Sequence, residues 1–594
     1  MKLSITHTKN NTYFYMVKSY RNNNGKSTSK IIEKLGTLEE VTLKANGEDP
    51  IIWAKNYIKK KTKEENENNA VYYEKLVENE ELDSSLKIYN IGYLFIKNIF
   101  YKLQLDELCD KIASENKFEY DMSKILQDLL YTRILCPSSK LSAFEEAKKF
   151  IEQPNYELHD IYRALSVIAQ KKESIEKWCY KTSLNIIPER NTKILYYDCT
   201  NYFFEIEQED EDDTEKNKSG LRKYGVSKEH RPLPIVQMGL FMDGSGYPLA
   251  FCINPGNTNE QQTLTPLEKQ IMKDFELSKF LVCTDAGLGS FKNRLFNTKG
   301  EKVYIVAQSL KNLEKHYQEI AISNKDWRIE NSSKKYDLSE VDKYNPNDKN
   351  IYYKEFIIER KKKNEKTGKT EKLKERMIVT FSTKYAIYQK SLRDKQISRA
   401  KEIIEKNPEK YLRKSQTDAK RFIKCEKITN DGECAEKYKL YYKDELEEYE
   451  QQFDGMYAVC TPENMDGGIE EILKINKGRW EIEESFRIMK SEFKARPVYL
   501  HKEERIIAHF VICFLALLIH RIIAKSKLKG KFTTEEIIDT LKNMISSKIE
   551  GLGYKQLYSK SSITEALRDA FGFDLDKKFI STKNMKKILK EIEK

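Results

Sequence analysis

The chain has 594 residues and a net charge of +12, with 39% hydrophobic and 33% charged residues. Because one hydrophobic core rarely organises so long a chain, we expect several domains or a domain with a large insertion. The basic surplus favours an anionic partner such as nucleic acid, although a lysine-rich composition alone would give the same charge. The ten cysteines form no Cys-x2-Cys pair, which argues against a zinc ribbon and favours reduced thiols in a cytoplasmic protein.

The sequence shows neither a signal peptide nor an apolar run long enough to span a membrane. The N-terminus, MKLSITHTKNN, lacks the apolar stretch of a signal peptide. The longest apolar run, FVICFLALLI, has ten residues, whereas a membrane span needs about 20. We therefore expect no membrane and interpret this run as a buried core helix.

The first 190 residues predict two regions. In residues 1–48, TYFYMVKSY and SKIIEKLG flank the segment RNNNGKS and predict a β-hairpin with NNNG at its turn. Residues 49–190 carry apolar residues at three- and four-residue spacing, as in MSKILQDLLYTRIL, and predict a helical domain. Such helices in a basic protein form either a DNA-binding domain or a packing domain, and we expect the first.

The pattern changes to strands after residue 190. KILYYDCTNYFFEIE, the hairpin PIVQMGLFMD-GSG-YPLAFCINPGN, the helix TLTPLEKQIMKDF, and the strands KFLVCTDAG and KVYIVAQSL fill residues 191–310. This order predicts an α/β fold with a mixed sheet covered by helices. Residues 311–455 predict a largely β insertion, residues 456–527 the second part of the core, and residues 528–594 a C-terminal helical region.

Two aspartates lie at unusual positions in these strands. Asp198 lies inside an apolar strand, where a carboxylate is unfavourable unless it is paired, hydrogen-bonded or bound to metal. Asp285 ends the strand FLVCTD just before the glycines of AGLGS, a common ligand position in sheet proteins. Hydrogen bonds within a turn would explain Asp285 equally well.

The segment GRWEIEESFRIMKSEFKARP predicts a helix with one glutamate on a basic face. At about 100° per residue, Arg479 and Lys490 lie within ~40° of Glu483, and Arg487 and Lys494 within ~40° on the other side. Surface pairing worth a few tenths of a kcal/mol is one explanation. The other is a carboxylate that holds a metal while the cations hold phosphates, and the spacing alone does not decide between them.

The combination of motifs resembles a known family. Arg479, Glu483 and Lys490 match the Tyr-x2-Arg-x3-Glu-x6-Lys signature of a group of bacterial insertion-sequence transposases in the DDE, retroviral-integrase-like superfamily. Three stretches resemble the group as well: YGVSKEHRPLPIVQMGLFMDGSGYPLAFCINPGNTNE, CTDAGLGS and YIVAQSLK. The sequence departs from the group at Asn476, where the signature has its tyrosine, and in RPLPIVQ, which is one residue shorter than the usual form.

The resemblance implies a fold, a cofactor and a set of site residues. The fold is an RNase H-like mixed five-stranded sheet, interrupted by the insertion and preceded by the helical domain and hairpin. Asp198, Asp285 and Glu483 would be catalytic and hold two Mg²⁺ ions, with Mn²⁺ as a possible substitute, because hard carboxylate oxygens suit these ions. The residues implied in DNA binding are Arg479, Lys490, Arg487, Lys494, His230 and Arg231.

The implied function is metal-dependent cleavage of double-stranded DNA at the terminal inverted repeats of an insertion sequence, followed by strand transfer into target DNA. Joining two ends implies at least a dimer on DNA, in a bacterial cytoplasmic, nucleoid-associated protein. A catalytically inactive or domesticated DNA-binding protein of the same fold is the alternative, and a nuclease or resolvase without strand transfer is a third reading. The presence of all three carboxylates favours the active transposase.

Overall fold

The computed structural model describes residues 1–8, 11–21, 27–68, 87–116, 119–213, 215, 218–330, 332–364, 367–406, 418–428 and 437–593. The chain forms two compact units, Met1–Ser85 and Leu86–Lys594. The predicted NNNG turn lies outside the described residues.

Within its described residues, the first unit contains a three-stranded antiparallel sheet followed by two helices. These elements are β1 (Lys2–His7), β2 (Thr12–Arg21), β3 (Ser27–Thr37), α1 (Leu38–Ala45) and α2 (Pro50–Asn68). A capping box starts α1, because the Thr37 hydroxyl accepts from the Glu40 amide and the Glu40 carboxylate accepts from the Thr37 amide. The predicted hairpin is thus joined by a third strand, and α2 belongs to this unit instead of to the helical region that was expected to begin at residue 49.

The second unit mixes helices and strands. Its strands are β4 (Lys87–Asn90), β5 (Ile194–Phe203), β6 (Ile235–Asp243), β7 (Pro248–Pro255), β8 (Leu281–Thr284), β9 (Val303–Ala307), β10 (Trp327–Ile329), β11 (Lys335–Tyr336), β12 (Tyr352–Lys363), β13 (Thr370–Phe381), β14 (Ile423–Ile428), β15 (Lys437–Tyr442), β16 (Met456–Pro462), β17 (Ile545–Ile549), β18 (Gly553–Gln556) and β19 (Phe579–Ser581). Its α-helices are α3 (Tyr93–Lys102), α4 (Leu105–Asn116), α5 (Met122–Leu135), α6 (Lys140–Ala147), α7 (Leu158–Gln170), α8 (Lys172–Ile186), α9 (Leu264–Asp274), α10 (Phe291–Phe296), α11 (Lys315–Ile322), α12 (Thr383–Glu405), α13 (Asp444–Gln451), α14 (Ile469–Lys477), α15 (Trp480–Arg487), α16 (Glu503–Arg521), α17 (Thr534–Asn543), α18 (Ser562–Phe571) and α19 (Thr582–Ile592). Short 3₁₀ turns occupy Glu260–Gln262, Leu310–Asn312, Leu338–Glu340 and Asp418–Phe422, and π-helical turns occupy Ile488–Glu492 and Ile522–Lys527.

A mixed ten-stranded sheet is the centre of this unit, in the order β11-β10-β12-β13-β16-β9-β8-β5-β6-β7. The five strands predicted for the core, β5 to β9, are neighbours in it; β5, β8 and β9 are parallel to one another, and β6 runs antiparallel to both of its neighbours, β5 and β7. The expectation of a five-stranded sheet is corrected, because β16 pairs with β9 and the hairpin β12–β13 pairs with β16. These strands satisfy backbone groups of β9 that would otherwise form an open sheet edge.

Besides the pairing of β13 with β16, a buried carboxylate links the insertion to the core. Glu375 of β13 is fully buried, and its oxygens accept hydrogen bonds from Arg294 Nη1 at 2.5 Å, from the Tyr304 hydroxyl at 2.8 Å and from Arg360 Nε. The segment also contains the long helix α12 and a separate two-stranded sheet of β14 and β15. The insertion is therefore mixed in character and not largely β.

Helix α16 and the π-helical turn after it form the central helix of the core. By length and composition this segment resembles a membrane span, but 94% of its most apolar window is buried inside the protein. It packs against α5 and α7 and against β7 of the sheet. This is the buried core helix that the apolar run FVICFLALLI predicts.

The C-terminal region differs from the helical region that was expected there. Its three helices alternate with β17, β18 and β19, which form a four-stranded sheet with β4 in the order β19-β18-β17-β4. The strand β4 lies more than 450 residues before β17 in the chain. A pairing between such distant segments leaves no local pattern, and this explains why the prediction lacked β4 as a partner of β17.

Candidate active site

Asp198 is held by the middle of the core sheet. Alternate residues of β5 pack into opposite hydrophobic cores, Tyr197 and Cys199 into one and Tyr196 and Tyr202 into the other. Asp198 is two residues after Tyr196 in the strand, so both side chains lie on the same face of the sheet, which the later helices cover. Its Oδ1 accepts a hydrogen bond from the Cys199 amide at 2.7 Å.

The surroundings of Asp198 disfavour its charge. Burial raises the pKa of this carboxyl to about 6, against the attraction of Lys228, and the neighbouring Asp285 carboxylate raises it further. Arg479 lowers the pKa of Asp198, because a nearby cation favours the charged carboxylate. Two carboxylates and two cations therefore lie within electrostatic reach of one another at this point of the sheet.

Asp285 lies beside Asp198 because β8 runs parallel to β5. The register pairs Tyr196 with Cys283, and each aspartate follows its member of that pair by two residues. The Asp285 Oδ1 also accepts a hydrogen bond from the Leu288 amide at 3.0 Å. The turn hydrogen bond that the sequence allowed is therefore present, and the half-buried Asp285 also lies next to the half-buried Asp198.

A glycine brings the helix with Glu483 close to β5. Gly478 separates α14 from α15, and a Cβ atom there would lie 2.1 Å from the Tyr196 hydroxyl oxygen. That hydroxyl donates to the Ile475 carbonyl at 3.1 Å. Any larger residue would push the helix away from the strand that carries Asp198.

Glu483 lies at the solvent side of the site. Its side chain is 64% exposed, and its Oε1 lies 3.8 Å from Nη2 of Arg479. The pairing within the helix that the sequence allowed is therefore present. Among the residues that the structure describes, no three His, Cys, Asp or Glu side chains are close enough to hold a metal ion together.

Lys490 is the second cation of the helix that reaches the site. Its ammonium lies 3.5 Å from Oε1 of Glu229 and 5.6 Å from the ring centroid of Tyr202. Burial lowers its pKa to about 8, Lys228 adds to this effect, and Asp198 opposes it. The residue belongs to a π-helical turn, a distortion that is frequent at functional sites.

The other predicted DNA contacts lie outside this cluster. Arg487 is half-exposed and pairs with Glu484 at 2.7 Å and Glu492 at 3.4 Å. Lys494 and His230 are exposed and have positive φ angles of 43° and 58°. Arg231 is exposed as well, and its guanidinium carbon lies 4.1 Å from the ring centroid of Phe203.

Sequence reasoning missed four charged residues here. Lys228 donates to the Cys199 carbonyl and pairs with Glu260 at 3.2 Å, and Glu229 contacts Arg496 as well as Lys490. Lys228 and Glu229 occur in the stretch YGVSKEHRP, for which the resemblance to the transposase group had implied only His230 and Arg231 as DNA contacts. Its charged residues next to Tyr and Gly were the available signal.

The cluster brings carboxylate oxygens close to cationic side chains. Asp198 and Asp285 are adjacent, and Glu483 approaches them through Arg479, which contacts Glu483 and acts on Asp198. Carboxylate oxygens are the ligands that Mg²⁺ prefers, so the donor set fits this ion if the exposed Glu483 turns inward. Arg479 and Lys490 would then face an anion lying across the carboxylates.

Comparison with known proteins identifies a family for this chain. A family model described as the transposase DDE domain matches residues 210–519, just over half of the chain; the match includes Asp285 and Glu483 and begins after Asp198. No curated protein matches the chain.

Two solved structures resemble the chain at low identity. One is the cryo-EM structure of a piggyBac transposase synaptic complex with hairpin DNA, at 8% identity and a TM-score of 0.33 over 84% of either chain. The other is a Mos1 transposase paired-end complex with the left transposon end, at 11% identity and a TM-score of 0.13 over 45% of this chain and 71% of that one. On the strength of the family model, this chain belongs to the transposase DDE domain family.

Proposed function

We propose that the protein is the transposase of a DNA insertion sequence, which cleaves the ends of its element and joins the freed 3′-OH groups to target DNA. The observation that carries this proposal is the placement of Asp198 beside Asp285, with the helix of Arg479 and Glu483 packed on the same strand. The order β7-β6-β5-β8-β9 supports an RNase H-like arrangement of the core. In that arrangement the first strand and the end of the fourth strand carry the two aspartates.

The three carboxylates would hold two Mg²⁺ ions. Bound divalent ions supply an activated water and neutralise charge on the leaving oxygen during phosphodiester cleavage. With a pKa of about 6, Asp198 is mostly ionised at neutral pH and serves there as a ligand. Glu483 is exposed and its separation from Arg479 is 3.8 Å, so its rotation toward the aspartates breaks only a weak surface pair.

The cations of the helix would hold the DNA backbone. Once Glu483 turns inward, the Arg479 guanidinium is free to make two parallel hydrogen bonds to one phosphate. Lys490, with a pKa of about 8, is mostly charged at pH 7 and would contact a neighbouring phosphate. The partners would be the terminal inverted repeats and the target DNA, bound by at least a dimer in the bacterial cytoplasm.

One observation favours a second candidate, a DNA-binding protein of the same family without catalysis. In the described part of the chain the three carboxylates do not form a ready metal cluster. If Glu483 never leaves Arg479, the protein would bind the element ends without cutting them.

A cleavage assay with matched variants distinguishes the two. Labelled DNA carrying the element's flanking repeats is incubated with the protein and Mg²⁺, Mn²⁺, Ca²⁺ or no metal. We expect nicks with a free 3′-OH only with Mg²⁺ or Mn²⁺, reduced on the order of 100-fold or more in Asp198→Asn, Asp285→Asn and Glu483→Gln. Glu484→Gln is the matched control, because this glutamate follows Glu483 but pairs with Arg487.

DNA binding measured in parallel gives each outcome a meaning. Binding without cleavage under every metal would establish the non-catalytic protein. Cleavage that survives in Glu483→Gln but not in Asp198→Asn would mean that another residue is the third ligand.

A further inference from the structure

A basic cavity lies beside the candidate active site, between the turn that joins α5 to α6 and the segment that follows the π-helical turn at Ile488–Glu492. It has a volume of about 500 Å³. Its charged lining consists of Arg133, Lys140, Lys494 and Arg496, and no acidic side chain lines it among the described residues. Several cations without a carboxylate between them repel one another unless an anion occupies the space.

Lys140 is the most informative of these residues. It is only 5% exposed, and its amine makes no hydrogen bond or ion pair with the described residues. Burial lowers its pKa to about 7, and Arg133 adds to this effect. An amine buried without a partner destabilises the fold, whereas a methionine of similar volume would pack there without that penalty.

Arg133 fixes the wall of the cavity. It is 5% exposed; its Nη1 donates to the Phe493 carbonyl at 2.9 Å and its Nη2 to the Ser138 carbonyl at 3.2 Å, while its Nε has no partner in the described part of the chain. These bonds hold the two segments of the lining together. Lys140 begins α6, whose amino end adds a partial positive charge toward the same space.

The cavity is linked to the candidate active site by one carboxylate. Arg496, at the cavity, contacts Glu229, and Glu229 also accepts from Lys490 at 3.5 Å. A strand that crosses Arg479 and Lys490 would therefore continue along the same segment toward Lys494. The geometry favours a repeating anion over an isolated small ion.

We propose that this cavity binds a backbone phosphate of DNA, with Lys140 at its inner wall and Lys494 and Arg496 at its entrance. The inference rests on the proposed function for the identity of the ligand, since it takes DNA as the anion. The phosphate would supply the partner that the Lys140 amine lacks. It would be a contact to the backbone and would carry no base preference.

The test is the salt dependence of DNA binding by the full chain. Fluorescence anisotropy with a labelled duplex of roughly three helical turns, at about pH 7 and about 50 to 200 mM salt, gives the slope of log K against log salt concentration. Each lost phosphate contact lowers the magnitude of that slope by about 0.9. We expect this decrease, with several-fold weaker binding at low salt, in Lys140→Met and in Lys494→Met.

Lys302→Met is the matched control. Lys302 is 6% exposed and its pKa is also lowered by burial, but its ammonium lies 3.3 Å from the ring centroid of Phe296 and is attracted by Glu268. This variant removes a buried amine outside the cavity. Its slope of log K against log salt concentration should equal that of the protein without substitutions.

The outcomes separate this inference from the proposed function. If Lys140→Met or Lys494→Met binds with the slope of the unchanged protein, the cavity does not hold a phosphate, whatever the cleavage assay shows. The exposed Lys494 decides the question if Lys140→Met does not fold. A failure of the unchanged protein to bind DNA would contradict both proposals.

Discussion

Lys140 holds its amine among other cations, and this arrangement should make DNA affinity depend on pH. Its pKa is about 7 through burial and Arg133, against a small opposing effect of the Cys513 thiol. A bound phosphate would raise the pKa toward the ordinary value of about 10.4. DNA binding would then take up a proton above pH 7, so affinity should fall as pH rises, by up to about tenfold per unit. Below pH 7 the amine is charged in both states and adds no dependence.

The measurement compares the unchanged protein with Lys140→Met between about pH 6 and pH 9 at constant salt. The other charged groups that line the cavity are Arg133, Lys494 and Arg496, and His509 is a further titratable group there. Burial holds the pKa of His509 well below its ordinary value and raises that of Cys513, so neither titrates in this window. Parallel curves for the two proteins would show that Lys140 does not take up the proton.

Individual residues of the site were predictable to different degrees. The positions of Asp198 within β5 and of Asp285 at the end of β8 could be predicted, because each interrupts or ends an apolar run of neighbouring residues in the sequence. Lys228 donates to the Cys199 carbonyl, next to Asp198, although the two residues of this bond are 29 positions apart in the chain. Glu229 and Lys490 form a contact between residues that are 261 positions apart. These contacts depend on the tertiary structure, and the spacing of residues along the sequence does not indicate them.

At the scale of elements, a buried ion pair anchors the segment after α8 to the core sheet. The side chains of Arg190 and Asp243 are completely buried. Nε of Arg190 donates to Oδ2 of Asp243 at 2.6 Å, and Nη2 of Arg190 donates to the Pro248 carbonyl at 3.1 Å. Arg190→Met would leave the Asp243 carboxylate buried without its cation. We expect the free energy of unfolding to fall by about 3–5 kcal/mol.

Urea denaturation, followed by fluorescence and circular dichroism, measures this loss. The control is Lys390→Met, which breaks the exposed pair with Asp394 in α12 and should change stability by less than about 1 kcal/mol. Equal effects of the two variants would mean that Asp243 finds another partner or water after the substitution.

The elements also show where sequence patterns stop being informative. The strands β5 to β9 were predicted because each is an apolar run bounded by turn residues. The extension of the sheet by β16 and β13 was not, because antiparallel pairing at a sheet edge depends on segments that are distant in the chain. The same reason applies to the pairing of β17 with β4. The strands β17 and β18 pair locally with each other, but they were missed because ISSKI and GYKQ carry little alternation of apolar and polar residues.

For the whole molecule, the two compact units have separate hydrophobic cores. The first contains Phe14, Met16, Leu35, Val41, Ala54 and Ile58, and the second is built around α16. We therefore expect a chain that begins at Leu86 to fold by itself, with a thermal midpoint within about 2 °C of the matching transition in the full chain.

A shorter chain that begins at Ile91 is the comparison for this prediction. It lacks β4, which pairs with β17 from Ile545 to Lys548, and it lacks Asn90, whose amide donates at 2.9 Å to the carbonyls of Leu541 and Lys542. Its midpoint should be lower, because β17 becomes an open edge and the end of α17 loses two hydrogen bonds. If instead the chain from Leu86 fails to unfold cooperatively while the full chain does so, the second unit requires the first for its stability. Similar midpoints for the two truncated chains would show that β4 contributes nothing measurable to the C-terminal sheet.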